Sequence, residues 1–251
     1  MQRITIPRRF RGPANIGNGG YVCGILGRRI SGAAEIALRS PPPLETELDV
    51  VEVGADQWEL RQGTKTIATG RPTKLDMSRV EKATYAEAAE AEKRTMIKPH
   101  EHLNPMCFVC GPDRAPGDGL RLFAGPLNRQ DADGVFAVPW TPSLSLVAAD
   151  GRVAPEFVWS ALDCPTAYAS IYDRETRTCN PSLPIVLGTL SVRIESLPRP
   201  GEQCVVTSWQ TGKEGRRLIA EGALFGEDEN VLAVGRAVWV VVDRQVLLRK
   251  P

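Results

Sequence analysis

The sequence predicts an α+β fold made of two related halves, each an antiparallel sheet wrapped around a central helix. Two stretches, 17–27 and 154–163, are mostly apolar and have starts marked by Gly or Pro, which is typical of helices. Each is followed by a run of strand-like segments, and such a meander wraps its helix. The final strands also match, since Ile67-Ala68-Thr69-Gly70-Arg71 resembles Leu232-Ala233-Val234-Gly235-Arg236. The two halves are therefore expected to form two sheets packed as an internal pseudo-dimer.

The first half is assigned to residues 1–80, as an N-terminal domain. A helix is expected from the glycines near position 19 to about Ile30. Residues 48–53 largely alternate between apolar and polar, as in a half-buried strand. A proline cluster at 41–43 separates two strands. Strands are predicted at 3–9, 33–39, 48–53, 57–61 and 66–74.

The second half is assigned to residues 99–251, after a connector at 81–98. The connector is polar and rich in alanine, and it predicts a helix over 82–97 without a broad apolar face. A longer helix is expected over 155–172, with a kink at Pro165. Strands are predicted at 119–123, 134–140, 184–197, 203–210, 217–225 and 231–242.

Composition is that of an ordinary globular protein. Of the 251 residues, 42% are hydrophobic and 24% are charged, and the formal net charge is +1. This balance gives no general attraction to nucleic acid or to anionic membranes, so neither is expected as a partner. No apolar run approaches the roughly 20 residues of a membrane helix, and the N-terminus lacks an apolar signal core. We therefore expect a cytoplasmic protein whose six cysteines are reduced.

Short motifs in both halves resemble the hotdog-fold acyl-CoA thioesterases in a double-hotdog arrangement. Asn18-Gly19-Gly20 looks like the His-Gly-Gly or Gly-Gly start of their helices, and 160–163, Ser-Ala-Leu-Asp, looks like the acidic end of the same motif in phenylacetate-type thioesterases. The segment 107–112, Cys-Phe-Val-Cys-Gly-Pro, resembles one that often opens such domains. Three positions depart from the pattern: Asn18 replaces a histidine, Gly27 stands at the first acid position, and 155–156 replaces the second glycine pair.

The departures are complementary and predict one composite site. When the two helices are aligned, Gly19 and Gly20 fall on 155–156 and Gly27 falls on Asp163, so one half keeps the glycines and the other keeps the acid. Free N–H groups at a glycine-rich helix start can stabilise an oxyanion, and a carboxylate in an apolar helix is costly unless it is paired or used. Within a single helix, the glycine position and the acid position would lie about 12 Å apart, which is too far for both to reach the same carbonyl. Two antiparallel helices can bring them together, with Asp163 as general base or nucleophile and Gly19 and Gly20 as oxyanion donors.

Simpler roles remain open for the same residues. The glycines could permit close helix packing, and Asp163 could be satisfied by a nearby backbone amide. Asn18 could donate to the thioester oxygen or only cap the helix. Thr166, one turn beyond the acid, could face the site or solvent, and Asn15 is a further substrate-binding candidate.

A second group of polar residues offers an alternative chemistry. His100, His102, Cys107 and Cys110 could hold zinc, but their spacing is cramped and a second ligand pair is absent. The resemblance favours a structural turn, so no metal and no cofactor are expected. A redox role for the Cys-x-x-Cys is disfavoured because no βαβ unit surrounds it.

The function that the resemblance implies is hydrolysis of an acyl-CoA or related thioester. A hotdog dehydratase or hydratase is disfavoured, because both histidines lie outside the core helices. The alternative from another class is a non-catalytic acyl-CoA-binding or regulatory protein. Exposed sheet edges also make a homo-oligomer of pseudo-dimers an expectation.

Overall fold

An 11-stranded antiparallel sheet with short helices against it forms most of the fold. The structure is a computed structural model and describes residues 2–13, 15–77 and 79–245. It confirms the predicted α+β class. Within those residues, no helix combines the length and apolar character needed to cross a membrane.

The N-terminal half contains one buried helix and five strands. Helix α1 spans Gly19–Gly27, and every residue from Gly20 to Gly27 is buried. The strands run in the order β1-β3-β4-β5-β2 across the sheet. Their bounds are β1 Gln2–Thr5, β2 Ala34–Leu38, β3 Glu47–Gly54, β4 Gln57–Gln62 and β5 Lys65–Pro72.

The C-terminal half repeats this arrangement with additions. Its order is β7-β11-β12-β13-β10, with β6 outside β7, so each long strand occupies the place of its counterpart in the first half. The helices are α2 Tyr85–Glu92, α3 Pro155–Ala161 and α4 Cys164–Ser170. The strands are β6 Gly125–Pro126, β7 Val135–Trp140, β8 Tyr172–Asp173, β9 Thr178–Cys179, β10 Ile185–Ile194, β11 Cys204–Glu214, β12 Arg217–Phe225 and β13 Val231–Val241.

The two halves share one continuous sheet, which differs from the two separate sheets predicted from the sequence. Strand β2 pairs antiparallel with β10, and Ala34 lies opposite Val192. Both strands would otherwise be edges with unpaired backbone N–H and C=O groups, and their pairing satisfies those groups. Only β8 and β9 form a separate sheet among the described residues.

Helices α1 and α3 are in direct contact, and glycines on α1 make this close approach possible. A Cβ at Gly24 would lie 2.4 Å from Glu156 Cα, and one at Gly20 would lie 2.5 Å from Asp163 Cβ. Real Cβ atoms do not approach other atoms this closely, so both positions exclude a side chain in this packing. The contacts run antiparallel, which brings the start of α1 to the end of α3.

The predicted helix over 155–172 is in fact two helices, because the helical conformation is interrupted at Leu162 and Asp163. Pro165 lacks an N–H and cannot continue the hydrogen-bond ladder, so it lies in the first turn of α4 instead. Asp163 has φ −76° and ψ −87°, outside the helical region. Its carbonyl accepts hydrogen bonds from the Thr166 N–H at 3.0 Å and the Thr166 Oγ1 at 2.6 Å. The break turns the Asp163 side chain out of a regular helix position.

Two other expectations also require correction. The predicted strand over 119–123 is absent, because Arg121 has a φ of +55°, which interrupts extended backbone. The predicted helix over 82–97 is limited to α2, which begins at a capping box formed by Thr84 and Glu87. Helix α2 packs on the sheet through its buried Ala88 and Ala91.

Candidate functional site

A cavity of about 530 Å³ opens where the start of α1 meets the start of α4. One wall comes from α4 and β10, and another comes from the loop that contains residues 97–110. The floor carries the polar groups Asn18, Gly19 and Asp163. The walls are mainly apolar, with Ile16, Leu38, Ile97, Leu103, Ala167, Ile171, Leu183, Ile185, Val186, Leu187 and Trp239. An apolar cavity with a few converging polar groups is the usual form of a small-molecule site.

Asp163 lies at the floor of this cavity and is only 2% exposed. Its Oδ2 accepts hydrogen bonds from Asn18 Nδ2 at 2.7 Å and from the Gly20 N–H at 3.2 Å. Its Oδ1 is buried and has no hydrogen-bond partner among the described residues. One oxygen therefore fixes the carboxylate, while the other receives no hydrogen bond from the described part of the chain.

The protonation of Asp163 reflects its burial. Removal from water, followed by the nearby Cys107 sulfur, raises the pKa of Asp163 to about 7. The hydrogen bonds from Asn18 and Gly20 act in the opposite direction, because they stabilise the charged carboxylate. Both protonation states are therefore populated near neutral pH.

Asn18 connects α1 to the acid. Its Oδ1 accepts the Tyr21 N–H at 2.9 Å and caps the helix, while its Nδ2 donates to Asp163 and lies 3.8 Å from Cys107 Sγ. Of the two roles considered for Asn18 from the sequence, the one seen in the structure is therefore capping of α1. The amide of Asn18 is already engaged by Asp163 and Cys107.

The two glycines differ in their surroundings. The Gly20 N–H donates to Asp163, and Gly20 does not line the cavity. Gly19 does line the cavity, and its N–H has no acceptor in the described part of the chain. Gly19 is thus the glycine that offers a free helix-start amide to a ligand.

The other two substrate-binding candidates lie apart from the cavity surface. Thr166 is fully buried between α4 and the sheet, where its hydroxyl donates to the Asp163 carbonyl and accepts the Trp239 Nε1–H at 3.0 Å. Asn15 is exposed and has a φ of +66° in the loop before α1. Neither residue is brought to the Asp163 side chain.

Further residues lie at the site without having been assigned to it from the sequence. Cys107, Cys110 and Cys164 converge on the cavity floor beside Asp163, and their Sγ atoms lie within 4.8 Å of one another. The Cys-x-x-Cys spacing pointed to the first two, but nothing in the sequence linked them to a cysteine 54 residues or more away. The Tyr168 hydroxyl is also buried at the cavity and lacks a partner within the described ranges. Of the two histidines considered with the cysteines, His102 lines the cavity and His100 is exposed.

The position related to this site by the internal repeat is filled by side chains. The Trp159 ring would lie 2.3 Å from a Cβ at Gly27, so an acid at position 27 has no room. Glu156, at the start of α3, pairs with Arg28 at 3.1 Å. The repeat-related position, which lacks both the glycine pair and the acid in the sequence, is therefore filled by packed side chains in the structure.

Solved structures with this fold cover nearly the whole chain. A TesB protein of Mycobacterium avium subsp. paratuberculosis covers 96% of this chain and 93% of its own, at 11% identity and a TM-score of 0.60. A hot dog fold protein of unknown function from Alicyclobacillus acidocaldarius covers 96% and 92%, at 10% identity and a TM-score of 0.58. A protein described as a thioesterase II from Thermobifida fusca covers 96% and 92%, at 15% identity and a TM-score of 0.56.

These similarities show that the chain has the hotdog fold, as the motifs implied. No protein-family profile and no curated protein matches the sequence.

Proposed function

We propose that this chain is a double-hotdog thioesterase that hydrolyses an acyl-CoA or a related thioester at the cavity floor. The observation that carries this function is the Asp163 carboxylate beside the cavity, held through one oxygen by residues of the other half, while its second oxygen has no hydrogen-bond partner among the described residues. The matching strand orders of the two halves support the double-hotdog arrangement. The thioesterase II description of the Thermobifida fusca protein, which has the same fold, adds to this support.

In this mechanism Asp163 acts as a general base. Its Oδ1 takes a proton from a water molecule, and that water attacks the thioester carbonyl. The C–S bond then breaks, and the proton held by Asp163 passes to the departing coenzyme A thiolate. The Gly19 N–H, at the start of α1, donates to the developing oxyanion. Asn18 and Gly20 are positioning residues, because their N–H groups hold the other carboxylate oxygen. In the alternative, Asp163 itself attacks the carbonyl carbon with no water between them, the C–S bond breaks to release the thiolate, and water then hydrolyses the resulting anhydride.

The cavity suits a thioester with an apolar acyl group. Its walls are mainly aliphatic side chains, three of them from β10, and they favour an alkyl or aryl chain. Arg39, an exposed residue after β2, lines the cavity together with 40–42. A guanidinium there can pair with a phosphate of coenzyme A.

The experiment that tests this function is hydrolysis of aliphatic and aryl acyl-CoAs, followed by mass spectrometry. Direct detection is preferable to thiol reagents, because such reagents also report accessible cysteines of the chain, and Cys179 is partly exposed. We expect free acid and coenzyme A to appear together in proportion to the enzyme. Tight binding of acyl-CoAs that stay intact would instead identify the non-catalytic acyl-CoA-binding protein.

Replacing Asn18 by Ser is expected to separate helix capping from carboxylate positioning. Serine caps helices as well as asparagine, so the melting temperature should stay close to that of the wild type. It has no amide N–H for Asp163, and loss of a hydrogen bond to a charged group of about 1.5–3 kcal/mol predicts a fall in kcat of about tenfold to a hundredfold. Steady-state kinetics and thermal unfolding check both parts, and unchanged kcat would contradict the role of Asn18.

Replacing Arg39 by Ala is expected to weaken substrate binding without slowing the chemical step. Loss of one exposed charge–phosphate contact should raise KM about fivefold, with kcat unchanged, and the effect should shrink as salt is added. The matched control is Arg71→Ala, since Arg71 is also exposed but pairs with Glu35 and does not line the cavity. Equal KM changes in both variants would remove Arg39 from the site.

A further inference from the structure

The cavity floor contains a cluster of three cysteine sulfurs from two distant parts of the chain. Cys107 and Cys110 lie on the turn before Gly111, and Cys164 is the first residue of α4. All three side chains are buried, and their Sγ atoms lie within 4.8 Å of one another. The cluster is therefore assembled by the fold.

The spacing of the sulfurs fits a shared ion. The Sγ atoms of Cys107 and Cys164 are 3.7 Å apart, whereas a disulfide needs about 2.05 Å. Tetrahedral zinc, with bonds of about 2.3 Å to sulfur, places two ligand sulfurs roughly 3.8 Å apart. The observed distance thus matches the edge of a zinc–thiolate tetrahedron.

The turn that carries Cys107 also favours a thiolate. The Cys110 and Cys164 thiols lie beside the Cys107 sulfur, and the backbone amides of Val109 and Cys110 donate to it. The Asn18 amide adds a donor 3.8 Å from the same sulfur. Several donors around one sulfur offset the negative charge that a set of thiolates brings into a buried site.

The turn is held in a fixed shape. The Gly111 N–H donates to the Cys107 carbonyl at 2.9 Å, and a Cβ at Gly111 would lie 2.5 Å from that oxygen. The Leu120 and Leu122 amides donate to the carbonyls of Phe108 and Val109 at 2.8 and 2.9 Å. A turn fixed in this way keeps two ligands in place before an ion arrives, which lowers the ordering cost of binding.

We propose that Cys107, Cys110 and Cys164 bind one Zn²⁺ ion as thiolates, with the fourth coordination position open to the cavity. Three thiolates select zinc over hard cations such as Mg²⁺ and Ca²⁺. The ion would connect the 107–110 turn to the start of α4. It would therefore hold in place the interruption between α3 and α4 at which Asp163 lies. Metal binding at these sulfurs does not require that the chain hydrolyse thioesters. The histidines considered with the Cys-x-x-Cys are not part of this site.

The test is metal binding by the full chain, kept reduced with a phosphine. The wild type is expected to contain about one zinc per chain by elemental mass spectrometry. After chelation it should take up one Co²⁺ per chain, with the strong near-ultraviolet absorption of cobalt–thiolate charge transfer. A folded, reduced wild type that shows no such absorption overturns the proposal, whatever the variants do.

Serine variants assign the ligands. Cys107→Ser, Cys110→Ser and Cys164→Ser are each expected to raise the Kd for Co²⁺ at least about a hundredfold. The control is Cys204→Ser, because Cys204 is buried on β11 and does not line the cavity. Retained affinity in the three variants, or equal loss in the control, counts against this ligand set. Asp163→Asn should still bind Co²⁺, so failure of the metal site and failure of the hydrolysis remain distinguishable.

Discussion

The Asp163→Asn variant is expected to lose at least about a thousandfold in kcat for thioester hydrolysis, because a general base contributes factors of this size. Asparagine keeps an oxygen that can accept from Asn18 and the Gly20 N–H, so the packing around the site is retained. It cannot take a proton from water at the position of Oδ1. Mass-spectrometric turnover, measured beside binding of a non-hydrolysable thioether analogue, separates chemistry from affinity.

The matched control for this variant is Asp133→Asn. Asp133 is a carboxylate outside the cavity whose Oδ1 accepts the Tyr172 hydroxyl at 3.3 Å. We expect wild-type turnover from it. Activity of Asp163→Asn within tenfold of the wild type would show that the base lies elsewhere, even if the chain proves to be a thioesterase.

Replacing Gly24 by Val is expected to cause the largest loss of stability. Its Cβ would meet Glu156 Cα at 2.4 Å, and a backbone atom cannot move aside as a side-chain tip can. Helices α1 and α3 must then separate, and overpacking of this kind costs about 3 kcal/mol or more. For a chain of this size, that cost lowers the melting temperature by about 6–12 °C. Calorimetry or thermal circular dichroism measures the shift.

Gly212→Ala provides the control for Gly24→Val. A Cβ at Gly212, on β11, would meet only Ile219 atoms at 3.6 Å or more, which is an ordinary contact. Its melting temperature should therefore stay near that of the wild type. If Gly24→Val melted at the same temperature as the wild type, helices α1 and α3 could not pack as closely as the 2.4 Å distance implies.

Local signals in the sequence predicted the main elements well. The apolar run after Asn18 predicted α1, and the β-branched run near the C-terminus predicted β13, because each element is defined by its own residues. The prediction failed where one residue overrode a local pattern. Pro165 ended a helix that apolarity alone would have continued, and the positive φ of Arg121 interrupted an apparent strand.

Features that join distant parts of the chain were only partly predictable. The repeat suggested that Gly20 and Asp163 would meet, and the structure places the Gly20 N–H 3.2 Å from the carboxylate. No pattern within either half indicated the pairing of β2 with β10, or that Cys164 would join Cys107. Such contacts depend on how two complete units dock, which local periodicity does not encode.

The strand pairing that joins the halves also has a consequence for how the chain folds. Ala34 must find Val192, a partner that leaves the ribosome only after most of the chain has been made. Until then β2 is an unprotected edge, able to pair with the same edge of another nascent chain. Contacts of such long sequence separation slow folding. The last folding step is therefore expected to be the pairing of β2 with β10 rather than the formation of either half.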